Sequence, residues 1–493
     1  MRRFLTLIAI FNTAIALPAQ SPRKSETAQE ASEGADKSPT RVSQMIAFEA
    51  YLKAASRHNH FTGTVLISRD DKPIFEKAYG MASLELGVPN RLDTLYNIGS
   101  LTKQFTAMAI IQLQDAGKLR TGDAICTYLP DCPAAWRSIT IRHLLLHQSG
   151  IPNYSSLPEW DERLGLIHYN KGELDRLFRD LPLHFTPGQS VKYSNSGYYL
   201  LSQIIEKSSG QDYDAYLRTN IFDKAGMSRT TTNQNRELLP GRAIGYYSRG
   251  PYFINAAFED PSSSTGSGGL WSTTADIHRW ARAIDAGKLA SAASYREMFT
   301  PSLKEYSYGW LIRKRWGLST TEHSGSQNGY SSFILRIPEQ KVTVIVLGNG
   351  DRMSAERAAI DLAAIHLGQE YKKPHAPLSD TLWRKMESDG IVNALRMLEA
   401  MRSDHSEKAK GDDDMLIEFG YELIAARKLD EADAVFQFNL RQRPASAYSL
   451  DGLADIAIVR GQKTRAISLF EQSLKIDPDN DYAKRALKRL LQS

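Results

Sequence analysis

An α+β domain followed by an all-α helical-repeat domain is the architecture expected of this chain, and three patterns carry that expectation. β-rich runs occupy residues 61–68 and 74–79, and four more lie between residues 306 and 348. The stretch between them, to about residue 290, reads as helices alternating with Gly/Pro/Ser-rich loops. Beyond residue 378 the apolar period is helical, and a set of residues recurs 34 positions later. An antiparallel sheet flanked by helices, with a mostly helical half, accounts for the first two patterns.

In order, the chain opens with Met1-Arg-Arg and an apolar stretch from Phe4 to Leu17 that is too short to span a bilayer. Residues 1–19 therefore read as a secretory signal, cleaved near Ala14-Ile-Ala16 or Leu17-Pro-Ala19, with export to a periplasm or the outside. No cysteine lies near that site, so a lipid anchor is not expected, and neither is stable membrane insertion after cleavage. Residues 20–40 are polar and charged, as in a flexible linker. A helix follows over residues 41–58, with Val42, Ile46, Leu52 and Ala55 on its apolar face. The two β-runs after it are joined by Arg-Asp-Asp-Lys-Pro, a hairpin signal. An amphipathic helix starts at Ser100 and stops near Gly117.

The loop Asp260-Pro-Ser-Ser-Ser-Thr-Gly-Ser-Gly-Gly269 is long enough to wall an active site. Thr273 or Thr274 caps the next helix and Gly287 closes it. Strands over 308–313, 320–326, 331–337 and 341–347 form a meander, which joins the N-terminal hairpin in one sheet of a domain at 41–370. Residues 371–378, rich in Lys, Pro and His, are a linker. In the remaining segment, 379–493, Leu416, Phe419, Gly420, Leu423, Ala432, Phe436 and Pro444 recur as Leu450, Leu453, Ala454, Ala457, Ala466, Phe470 and Pro478. This spacing resembles tetratricopeptide repeats, with two units over 413–480, a worn repeat at 379–404 and a capping helix at 481–492. Such repeats imply a protein or peptide partner.

Composition narrows the function. Of the formal net charge of +5, two charges are Arg2 and Arg3 of the leader, and no basic run is interleaved with aromatics, so nucleic acid is not an expected partner. Cys126 and Cys132 are the two cysteines; six residues apart in an exported chain, they fit either a short disulfide or two reduced thiols. His58-Asn-His60 has no further ligand at metal-binding spacing, and no cofactor or metal is expected.

Chemistry concentrates on Ser100-Leu-Thr-Lys103. Residues at i and i+3 share a helix face, so the amine sits beside the hydroxyl, and a helix N-terminus favours a developing oxyanion. The tetrad alone carries little weight, since Ser21-Pro-Arg-Lys24 in the leader matches it too. Partners give it meaning. Tyr193-Ser-Asn195 is the chain's single Tyr-x-Asn and offers a phenol for proton relay and an amide. Glu322-His-Ser-Gly-Ser326 lies in the meander, where glycine permits close backbone approach. His366-Leu-Gly368 has the same His-x-Gly pattern but falls on a helical stretch.

Together with Gly63-Thr-Val-Leu, His143-Leu-Leu-Leu-His-Gln-Ser-Gly150 and Gly268-Gly-Leu270, these motifs resemble the serine β-lactamase and penicillin-binding family over residues 60–350. Within it they are closest to the branch of class C β-lactamases, D-alanyl-D-alanine carboxypeptidases and esterases. The resemblance implies a β-lactamase-like fold and a serine hydrolase acting on a small-molecule or peptide substrate. It also assigns roles. Ser100 would be the nucleophile, Lys103 its base, Tyr193 the proton shuttle and Asn195 a holder of substrate and amine. The N–H groups of Ser100 and Ser326 would form the oxyanion hole, and His323, Ser324 and Gly325 would meet substrate. Where many relatives carry Lys-Thr-Gly this chain has His323-Ser-Gly325, which lowers the case for β-lactam carboxylates and leaves peptidase and esterase chemistry. The competing expectation is a catalytically weak sensor or scaffold that recruits a partner through its repeats.

Overall fold

Val65, Leu66 and Ile67 are all buried because their strand has protein on both faces. The computed structural model describes residues 41–59, 61–161, 163–232, 238–403 and 413–492. The predicted signal, the linker before residue 41 and His60 lie outside the described residues. Helix α1 (Arg41–Asn59) leads into β1 (Gly63–Arg69) and β2 (Lys72–Tyr79), joined at Asp70 and Asp71, both with positive φ. The central segment supplies α2 (Thr102–Asp115), α3 (Asn195–Ser209), the small hairpin β3 (Tyr246–Arg249) and β4 (Tyr252–Asn255), and α4 (Thr274–Asp285). Strands β5 (Leu311–Arg315), β6 (Leu318–Gln327), β7 (Tyr330–Ile337) and β8 (Val342–Gly348) follow, then α5 (Ala355–Leu367).

The main sheet has the order β5-β6-β7-β8-β1-β2, antiparallel throughout, so the meander and the N-terminal hairpin meet at the β8–β1 pair. Strand periodicity then sorts the core. Val65 and Ile67 pack with Phe333, Val344 and Val346 under α1 and α5. Leu66, Ile334, Ile345 and Leu347 face the helical half, against α2 and α4. Helix α4 begins with Thr273 as its cap, its side chain accepting from the Asp276 N–H, and Gly287 follows its end at positive φ.

Helix α2 departs from the expected amphipathic pattern, being buried on every side from Thr102 to Ile111. It runs between the sheet and the helical half, so its polar residues are interior and find partners. Gln104 Oε1 accepts from Trp280 Nε1 at 2.8 Å, and Thr106 Oγ1 donates to the Gly266 carbonyl at 2.7 Å. Cys126 and Cys132, left open by the sequence, are joined as a disulfide.

After an irregular stretch at 371–377 the chain is helical: α6 (Leu378–Asp389), α7 (Ile391–Ser403), α8 (Asp413–Ala425), α9 (Leu429–Gln442), α10 (Ala447–Val459), α11 (Lys463–Ile476) and α12 (Asp481–Gln492). The α8–α9 pair recurs as α10–α11 with a 34-residue offset at both helix starts. Phe436 shows why the repeat carries small residues. A Cβ at Gly420 or Gly452 would stand 2.5 or 2.3 Å from its ring, so both helices close onto one aromatic. Helix α12 packs on Phe470 through Ala483. Among the described residues no helix is long and apolar enough to cross a membrane.

Candidate active site

Ser100 sits in the 3-10 turn Gly99–Leu101, immediately before α2, and Lys103 lies one turn on, fully buried. Lys103 Nζ is 3.1 Å from Ser100 Oγ, 2.8 Å from Asn195 Oδ1 and 2.7 Å from the Ser267 carbonyl. The Tyr193 hydroxyl donates to Ser100 Oγ at 2.7 Å, and the amine also stands over the Tyr193 and Tyr198 rings, at 4.7 and 5.4 Å. Four residues separated by more than ninety positions thus converge on one oxygen and one nitrogen. Burial pushes the Lys103 amine well below the ordinary lysine range, and among the described residues no carboxylate stands by to restore it. Burial raises the Tyr193 phenol, a shift only partly opposed by its bond to Ser100.

Each group is held from behind. Asn195 begins α3; its N–H donates to Asn153 Oδ1 at 2.9 Å and its Nδ2 to Ser155 Oγ at 3.1 Å. The loop before Gly268 is pinned by the Tyr154 hydroxyl, 2.6 Å from the Ser263 carbonyl and 3.0 Å from Ser267 Oγ. Two glycines bring the Ser100 turn onto β6. Gly99 has φ +50, and a Cβ there would lie 2.7 Å from the Ser326 nitrogen. A Cβ at Gly325 would lie 2.0 Å from the Ile98 carbonyl. The glycine of the His-Ser-Gly motif therefore admits the Ser100 turn itself, where the sequence suggested close approach of substrate. Pairing of β5 to β6 ends at Leu311–Glu322, so the edge from His323 to Gln327 is open beside Ser100, with Ser324 and Ser326 exposed.

His323 departs most from expectation. Its ring is 4% exposed, Nδ1 donates to the Ser324 carbonyl at 2.6 Å, and Nε2 accepts from the Tyr306 hydroxyl at 3.1 Å. Both nitrogens are used within the protein, so the ring backs the site and leaves the outer edge to the serines. Burial, then the Lys103 charge, pushes its pKa down to about 3.

A second imidazole, His147, escaped the sequence reading as a site residue although its motif was noticed. It is buried at φ +58, accepts the Ser194 N–H at Nδ1 (3.2 Å), and packs on the rings of Tyr193 and Tyr306 at 4.3 and 4.5 Å. Its pKa too is lowered well below normal by burial first and by the Lys103 charge second. Tyr306 and Tyr154 were equally invisible, because their partners are backbone carbonyls and a ring nitrogen brought in by the fold.

These neutral imidazoles make stability pH-dependent. Below about pH 6.5 the unfolded chain binds a proton at each histidine that the folded chain refuses, so stability falls with pH by about 1.4 kcal/mol per unit per group. Between pH 7 and 5, His323 alone is expected to cost about 2 kcal/mol. Urea unfolding at the two pH values checks this: His323→Gln should lose about 2 kcal/mol less than the wild type, and an identical loss would refute the assignment.

Comparison with known proteins agrees with the geometry. The beta-lactamase family profile matches residues 48–368. The chain is 32% identical to a penicillin-binding protein of Bacillus subtilis (strain 168) over 355 residues, 67% of this chain and 77% of that one. A penicillin-binding protein from Bacillus halodurans superposes with a TM-score of 0.58 at 26% identity, over 66% of this chain and 99% of that structure. A D-stereospecific amidohydrolase from Streptomyces sp. gives a TM-score of 0.59 at 25% identity, over 66% and 99%. The match takes in the whole main sheet and the helices that carry Ser100, Lys103, Tyr193 and Asn195, and so the chain belongs to the beta-lactamase family, as a serine hydrolase of the β-lactamase and penicillin-binding type.

Proposed function

We propose that this chain is an exported serine hydrolase that cleaves an amide or ester through an acyl-enzyme on Ser100. The convergence of Ser100 Oγ, Asn195 Oδ1 and the Ser267 carbonyl on the buried Lys103 amine supports this reading most directly. A neutral amine has two N–H groups and one lone pair. In the neutral form that burial favours, its N–H groups go to Asn195 Oδ1 and the Ser267 carbonyl, and the lone pair accepts from the Ser100 hydroxyl 3.1 Å away. Attack of Ser100 Oγ on the substrate carbonyl then passes the hydroxyl proton to Lys103, and the carbonyl π pair becomes the oxyanion. The N–H groups of Ser100 and Ser326 receive that charge; one such donor contributes roughly 3–4 kcal/mol. Collapse breaks the bond to the leaving group, which takes a proton from the Tyr193 hydroxyl, itself replenished from Lys103. In the second half the same pair deprotonates water and returns the proton to Ser100.

The substrate class is narrower than the family's. With His323 neutral and turned inward, the β6 edge presents serine hydroxyls in place of a fixed cation. That favours neutral amides, D-amino-acid peptides or esters over β-lactams that rely on a carboxylate. The likeness to a D-stereospecific amidohydrolase points the same way. The 34-residue helical repeat supports a tetratricopeptide-type module for a protein or peptide partner. Incubation with a fluorescent penicillin and a fluorophosphonate, followed by peptide mapping and a panel of esters and D-peptides, tests the proposal. The adduct is expected on the peptide bearing Ser100, with turnover of at least one ester or amide. No adduct and no turnover would leave the sensor or scaffold reading.

A further inference from the structure

Beyond the end of β6 lies a shallow, solvent-open cleft, walled by Trp160, Leu166, Tyr247, Phe258 and Asn328, with Asp161, Arg249 and Glu259 as its charged groups. Its apolar walls are bare: Phe258 is 60% exposed and Leu166 47%. It adjoins the site along the chain, since Asn328 is two residues from Ser326, and Gln327, between them, lies against the Gly268 loop. Trp160 packs at a tilt against Tyr154, the ring that pins Ser267, with centroids 4.9 Å apart.

One wall of this cleft belongs to the β3–β4 hairpin, and the helical module grips that hairpin at its turn. Glu422 of α8 accepts the Gly250 N–H at 3.0 Å. Gly250, at φ +53, lies so close under the Trp383 ring of α6 that a Cβ would stand 2.5 Å from it. Arg352 ties the same turn to the module, donating to the Gly250 carbonyl at 3.0 Å, to Ser379 Oγ at 3.0 Å and to Asp380. Tyr252 donates to Glu387 of α6 at 2.9 Å. At its other end the hairpin reaches the catalytic strand, where the Tyr247 hydroxyl donates to Asn328 Oδ1 at 2.8 Å. Gly329 packs there so tightly that a Cβ would meet Tyr246 N at 2.6 Å.

We propose that the C-terminal helical module determines substrate specificity, by clamping the hairpin that walls this cleft, and that the cleft takes an apolar or aromatic side chain on the acyl part of the substrate. The inference rests on the acyl-enzyme reading for its reaction, and its contacts lie outside the residues that perform that chemistry.

The test uses the full chain and two esters, p-nitrophenyl acetate, too short to enter the cleft, and p-nitrophenyl 4-phenylbutyrate. Phe258→Ala is expected to lower the phenylbutyrate-to-acetate ratio of kcat/KM about tenfold. Glu422→Ala, far from the chemistry, is expected to raise KM for phenylbutyrate about fivefold with kcat and acetate turnover unchanged. Glu422→Gln, whose amide oxygen still accepts the Gly250 N–H, should restore it. An unchanged ratio in Phe258→Ala overturns the cleft as the acyl subsite. A changed ratio there with none in Glu422→Ala overturns the clamp. Fluorophosphonate titration of Ser100 in every variant separates these outcomes from failure of the acyl-enzyme reading. If neither ester turns over, calorimetric binding of 4-phenylbutyramide to wild type, Phe258→Ala and Glu422→Ala decides the same question without chemistry.

Discussion

Ser100→Ala is expected to lower kcat by about 10⁵-fold and to abolish covalent labelling, with a change in Tm of no more than about 2 °C. The substitution removes one oxygen from a partly exposed turn. Lys103 keeps its bonds to Asn195 and Ser267, and the Tyr193 hydroxyl, on the solvent side of the site, can bond water. Nothing in the core moves, so loss of activity without loss of stability is the signature of a nucleophile. Because Lys103 and Tyr193 act on this one oxygen, their substitutions should not add to it: Ser100→Ala with Lys103→Met is expected to be no slower than Ser100→Ala alone. Burst titration, steady-state turnover and thermal melts on the single and double variants check this. Equal turnover by Ser100→Ala would move the attack to another group, with Ser324 and Ser326 on the open β6 edge the first to examine.

Much of this was legible in the residue order, and what was not has a common cause. The inner strands β1, β6, β7 and β8 announced themselves because each is buried on one or both faces and bounded by turn residues, whereas the edge strands β2 and β5, with no fully buried residue, showed through their turns, and the 34-residue recurrence marked the helical pairs. The Ser-x-x-Lys spacing and the Tyr-x-Asn pair are local, so they too could be read. Helix α2 misled because burial on all sides removes the polar face that an amphipathic reading needs, and its threonines and glutamine look solvent-bound until their interior partners appear. His323 misled because a strand position gives the side chain's face only once the partner elements are known. His147, Tyr154 and Tyr306 went unseen because their bonds run to backbone groups or rings supplied by distant segments. The module's hold on the β3–β4 hairpin depends on a left-handed glycine and one buried carboxylate, and neither leaves a pattern in sequence.

Lys103→Met is expected to lower kcat/KM by about 10³-fold and, more tellingly, to erase the acid limb of the pH–rate profile. Methionine follows the same path through the interior as the lysine stem but has no amine to accept a proton. The wild-type limb follows from the buried amine: protonation consumes the lone pair that faces Ser100, so activity falls as pH drops through the lowered Lys103 pKa and recovers above it. A purely electrostatic lysine predicts the reverse sign, activity rising with protonation and failing at high pH, so the direction of the limb alone separates base from cation. The variant also strips a donor from Asn195 Oδ1 and the Ser267 carbonyl, about 1–3 kcal/mol for each acceptor left unpaired. Set against that is relief from burying an amine that loses its charge in the fold. A melt of Lys103→Met beside its pH profile therefore reads both terms. A flat profile with near-normal stability marks Lys103 as the base, whereas a profile that keeps the wild-type limb assigns the titration to another group.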